Sequence, residues 1–102
     1  MLESLDITTF VGREGEVFLL APDETSVIVT RLIAVTPAPG DSAGRVRPGG
    51  RTPFSLIFRS PPAAALPQRI YRLQHEQLGA LDLFLVPIGP DEAGMCYEAV
   101  FT

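Results

Sequence analysis

One histidine and one cysteine are the only side chains in this 102-residue sequence that readily act near neutral pH as a base or a sulfur nucleophile. His75 is followed directly by Glu76, the one acid–base pair that adjacency offers. Neighbouring side chains on a strand point to opposite faces, so these two could cooperate only within a turn. The simpler expectation is a turn histidine at the surface. Ser55, His75 and Asp82 can be assembled on paper into a nucleophile, a base and an acid, but no G-x-S-x-G elbow supports the set. Cys96 lies between Met95 and Tyr97, with nothing nearby in sequence to lower its pKa, and is expected to be a buried, inert thiol. Gly44 and Gly49 stand at phosphate-loop spacing ahead of Gly50, Arg51 and Thr52. The lysine is missing, and the segment leads into a strand rather than a helix, so the dipole that would hold a phosphate is absent. No catalytic residue is assigned. One cysteine with one histidine makes neither an internal disulfide nor a four-ligand metal site, and no metal or cofactor is expected.

Charge is more informative than its total of −4. There is no lysine, and all eight basic residues are arginine. Residues 1–41 carry seven acids and two arginines (−5), residues 42–75 six arginines and no acid (+6), and residues 76–102 five acids and no arginine (−5), which sums to −4. An acidic total argues against a general nucleic-acid binder. Two readings of the basic middle stay open. The arginines pair with acids across strands, or Arg45, Arg47 and Arg51 form a basic loop that docks on an acidic protein partner.

Elements that could position these groups are almost all strands, in what reads as a single domain over residues 1–102. Asp6 or Thr8 could cap one helical turn, which Gly12 and Gly15 end. Residues 16–21 read as a strand stopped by Pro22 and Asp23, and the β-branched run over 26–36 as its hairpin partner. Residues 37–51 are rich in proline and glycine without periodicity, and are expected to form a mobile loop. Clean alternation of Phe54, Leu56 and Phe58 with Ser55, Ile57 and Arg59 marks a third strand. Residues 69–75, 81–88 and 95–101 then read as a three-stranded meander, with turns at 76–79 and 89–94. Leu83 and Leu85 face one way, while Phe84, Val86 and Ile88 face the other, as in a strand buried on both sides or meeting another subunit. The eight aromatics fall mainly on apolar faces and read as core. About six strands without a long helix indicate an all-β, small antiparallel barrel or sandwich; closure into a barrel best removes the edges of so apolar a set.

Four segments, Pro53 to Arg59, Tyr71 to His75, Leu83 to Pro90 and Tyr97 to Phe101, together resemble a family of short bacterial domains of unknown function. The likeness covers residues 53–102 well and the N-terminal half in outline. It implies no activity, cofactor or catalytic residue. Such proteins resemble accessory components found beside tail-fibre-like or collar-like proteins of phage origin, which implies a structural or assembly role.

Mean hydropathy is +0.24, apolar for so short a chain, so either an unusually large share of its side chains is buried or some apolar surface is covered by a partner. The expectation is a non-enzymatic protein-interaction or structural domain that self-associates or serves a phage-tail-like assembly. A small barrel binding an apolar ligand or an oligonucleotide is the alternative. The start of the chain carries acid where a secretion signal carries base, and no apolar run approaches a membrane span, so a cytoplasmic location is expected.

Overall fold

A computed structural model gives the fold, describing residues 6–37, 53–62 and 65–101. The chain forms a short helix, α1 (Ile7–Phe10), and six strands: β1 (Val17–Asp23), β2 (Ser26–Pro37), β3 (Phe54–Ser60), β4 (Arg69–His75), β5 (Gly79–Asp91) and β6 (Gly94–Phe101). They close into an antiparallel barrel in the order β1-β2-β3-β6-β5-β4. Two three-stranded meanders, β1–β2–β3 and β4–β5–β6, therefore meet along two seams. The β3–β6 seam is continuous from Phe54–Phe101 to Ser60–Met95. The β1–β4 seam is short: Leu19–Gln74, Leu20–Leu73 and Ala21–Arg72.

Period-two alternation fills the interior. β3 buries Phe54, Leu56 and Phe58, β4 buries Tyr71 and Leu73, and β5 buries Leu81, Leu83 and Leu85. Each such side chain contributes about 1.5–3 kcal/mol when fully removed from water. Phe18 meets Phe58 edge-on, with ring centroids 5.2 Å apart. One mouth is plugged by α1: Phe10 lies about the rings of Phe54 and Phe101, at 6.0 and 5.8 Å, and those two stack at 4.5 Å. Asp6, not Thr8, caps this helix, accepting from the Thr8 amide at 3.0 Å. At the far mouth Leu66 packs against the core. Its amide donates to the Tyr97 hydroxyl, and the Tyr71 hydroxyl donates to the Pro67 carbonyl.

Strand boundaries differ from the sequence reading where bulges absorb residues that resemble turns. Pro22 and Asp23 do not stop β1; the register shifts between Leu20 and Asp23, and the strand continues. Residues 89–91 likewise belong to β5, because a shift between Pro87 and Gly89, with Gly89 at φ +117°, takes up the extra residue. Only Glu92 and Ala93 remain as the turn. Such bulges bend strands, as closing a small barrel requires. The Pro/Gly-rich stretch expected as a mobile loop lies, beyond Pro37, outside the described residues.

Gly94, where β6 starts, is there for space: a Cβ would lie 1.9 Å from the Ser60 carbonyl oxygen on β3. Replacing it forces backbone apart at the end of the long seam. Gly94→Ala is expected to lower stability by about 1–3 kcal/mol in urea unfolding; unchanged stability would contradict this packing.

Candidate functional site

His75 ends β4 at the mouth plugged by α1, and the structure corrects its surface placement: the residue is 8% exposed, with its ring centroid 4.6 Å from that of Phe18. Its Nδ1 accepts from the amides of Gln77 and Leu78, at 3.0 and 3.1 Å, and so organises the tight β4–β5 turn. With both amides aimed at Nδ1, the ring proton belongs on Nε2, which donates to Glu16 Oε1 at 2.6 Å. Glu16 also accepts from Arg13 Nη1 at 3.2 Å. Arg13 in turn reaches Gln77 Oε1 at 2.7 Å and, through Nε, the Thr9 carbonyl at 3.0 Å. The hydrogen bond from His75, assisted by Arg13, holds the Glu16 carboxyl below its ordinary range. One network thus ties the helical plug, the start of β1 and the β4–β5 turn together.

Acid–base chemistry needs a nitrogen free to meet a substrate. Here one is occupied by turn amides and the other by a carboxylate. Beside the ring, an open depression of about 380 Å³ is lined by Val17, Leu19, Gln74, His75, Glu76 and Gly79. It offers apolar side chains and the outward Glu76, not a reactive pair. The acid that meets His75 is Glu16, 59 residues earlier, and not its neighbour Glu76. Ser55 and Asp82 are not brought to it. Ser55 is paired with Thr36 and Val100 across β2 and β6, and Asp82 is bound to Arg72. Among the described residues, no group of three or more His, Cys, Asp or Glu side chains is placed to hold a metal ion.

The arginines separate by position. Arg72 forks onto Asp82 directly across β4–β5, through Nε at 2.9 Å and Nη2 at 3.2 Å. Arg59 forks onto Asp91. These two arginines of the basic middle pair across strands, as one of the two sequence readings expects. Arg69 donates to the Pro22 carbonyl and lies over Tyr71, and meets no carboxylate among the described residues. Arg45, Arg47 and Arg51, the proposed docking arginines, lie outside the described residues.

A second cluster surrounds Cys96, which is 7% exposed. Apolar sequence neighbours give no hint that its Sγ is 3.5 Å from Asp91 Oδ2, contributed by the facing strand. Burial, and then this carboxylate, push the thiol pKa up, the opposite of nucleophile activation. Asp91 also accepts from the amides of Ala93 and Gly94, at 2.9 and 3.0 Å, closing the β5–β6 turn. Arg59, followed by the Ala93 amide, brings its carboxyl from the ordinary 3.8 down to about 2. A depressed folded-state pKa gives stability that is complete above the unfolded value and disappears as pH falls through the folded value. Acid titration should therefore show stability falling between 3.8 and about 2, and Asp91→Asn should reduce that fall; an unaltered acid profile in the variant would count against this role.

Comparison with known proteins adds a family and no activity. No curated protein and no solved structure matches the chain. A family match does extend over residues 5–101, taking in every strand of the barrel and the helical plug. The chain belongs to the family described as Domain of unknown function (DUF6916).

Proposed function

We propose that this barrel is a non-catalytic, cytoplasmic interaction domain whose outer strand wall is covered by protein. One observation carries the reading. Among the described residues, eight large hydrophobic side chains are exposed, and five of them, Leu19, Val27, Val29, Ile70 and Phe84, lie on neighbouring strands β2, β1, β4 and β5. Register sets four of them as two apolar pairs, Leu19–Val29 and Ile70–Phe84, with Ala21, Gln74 and the Arg72–Asp82 pair between, and Leu19, Val27 and Ile70 line one groove over the β1–β4 seam. Scattered single hydrophobics are ordinary on protein surfaces, whereas a contiguous set marks a contact. The paired nitrogens of His75 and the raised thiol of Cys96 favour the same reading, because each group already has a structural task. The sequence resemblance suggests the setting: an accessory or assembly component of a phage-tail-like structure.

Ligand binding inside the barrel is the weaker alternative. Phe10, Phe18, Phe54, Phe58 and Tyr97 are fully buried and occupy the space that an internal ligand would need. Phe84 is the only aromatic side chain exposed among the described residues, too few for an oligonucleotide stacking platform.

The native protein should be recovered within an assembly, with itself or with another protein, and Phe84→Asp should release it while leaving the circular dichroism spectrum unchanged. A wild-type chain isolated alone and monomeric would overturn the proposal.

A further inference from the structure

We infer that the first part of β2, from Ser26 to Thr30, is an open pairing edge that takes up an extended segment of another protein as an added strand; this rests on the interaction reading above and specifies how the partner is held. Hydrogen-bond phase defines the edge. Leu32 makes both of its main-chain bonds on the β1 side, donating to the Glu16 carbonyl at 3.1 Å and accepting from the Gly15 amide at 2.7 Å. Bonding direction alternates along an antiparallel strand, and the β1–β2 register runs unbroken from Arg31–Val17 to Ile28–Leu20. Thr30 and Ile28 therefore turn their amides and carbonyls to β1, while Arg31, Val29 and Val27 turn theirs to the β3 side. On that side pairing begins only at Arg31–Arg59. Level with Val29 comes Pro61, which has no amide hydrogen to give, and with Pro62 it takes the chain out of β3. Among the described residues, no turn or loop bonds to the main chain of Val27 or Val29 instead.

An unpaired row of amides and carbonyls is a template for another strand. The space beside it fits one. A pocket of about 320 Å³ lies between Val27, Ile28 and Val29 and the side chains of Pro61, Leu66 and Tyr97. Ile28 packs against the core, so a residue opposite it on an added strand also points inward, into this pocket. Its neighbours, opposite Val27 and Val29, point outward and cover those valines, which are 65% and 48% exposed. Buried Tyr97 accepts from the Leu66 amide, and its own hydroxyl hydrogen has no acceptor among the described residues; a carbonyl of the added segment supplies one. Main-chain bonds then give affinity, and the pocket selects an apolar side chain. Every described strand of this chain is already held in the closed barrel, so a second copy has no loose strand to insert.

Nuclear magnetic resonance on the intact, isotope-labelled chain tests this, with a blocked peptide of alternating threonine and valine as the probe. The amide signals of Val27 and Val29 should move on titration, and at saturation their exchange with solvent should slow about tenfold or more. A copy of the peptide N-methylated at every residue keeps the side chains but loses the donors, and should not bind. Val29→Pro removes the amide hydrogen on the open side and leaves the β1 ladder its bonds, so it should weaken peptide binding about tenfold. Circular dichroism verifies folding; if that variant does not fold, the N-methylated peptide decides. A peptide that leaves Val27 and Val29 unmoved overturns the inference, as does an N-methylated copy that binds equally well, or a chain whose copies pair with each other along this edge. If Phe84→Asp releases the native assembly while the peptide moves neither amide, strand addition is removed and the interaction reading stays. A native chain isolated alone that also ignores the peptide removes both.

Discussion

A six-stranded sheet becomes a barrel only where its two meanders meet twice, and here the second meeting is brief. β3 and β6 pair over their whole length, but β1 and β4 share only three residue pairs before Pro22, which has no amide hydrogen, and the bulge beside it end the ladder. Just beyond those pairs, at the other end of the seam, His75 of β4 meets Glu16 at the threshold of β1. The ring extends closure by one strong, charge-assisted hydrogen bond where backbone pairing has run out. It also fixes the β4–β5 turn through Nδ1, and Glu16 passes the connection to Arg13 and the helical plug. Phe10, Phe54 and Phe101 cluster at that same mouth, so its lining and its latch hold the same end of the barrel.

Much of the scaffold was legible. Alternation at Phe54, Leu56 and Phe58 defines β3, and Arg69 and His75 bound β4 as read. Local pattern carries this information because side chains on a strand repeat every two residues. What was not legible depends on partners distant in the chain. Nothing near His75 points to Glu16, so adjacency drew attention to Glu76 and to a surface histidine instead. Cys96 likewise has apolar neighbours in sequence, but a carboxylate and a guanidinium reach it across β5 and β3. Proline and glycine mark turns by propensity, so Pro22, Gly89 and Pro90 read as strand ends; the barrel uses them inside or at the margins of bulged strands.

The same long-range pairing separates the two kinds of polar group on the molecule. Arg59 and Arg72, from the basic middle of the chain, are taken up by Asp91 and Asp82 from the acidic C-terminal part. Exposed pairs of this kind add little stability. Phe84 lies beside the Arg72–Asp82 pair and faces outward, the one aromatic that the core leaves out. Apolarity on both faces of β5 therefore has two causes: Leu81, Leu83 and Leu85 fill the barrel, and Phe84 remains for contact outside it.

Amide hydrogen exchange in His75→Ala tests the latch most directly. Losing the ring frees two turn amides and the Glu16 contact, an effect of about 1–3 kcal/mol at a buried group. The seam amides of Leu19, Leu20 and Leu73 should then exchange at least roughly tenfold faster, while the β3–β6 amides lose less protection. Equal loss along both seams, or no loss at either, would contradict a barrel closed by this histidine.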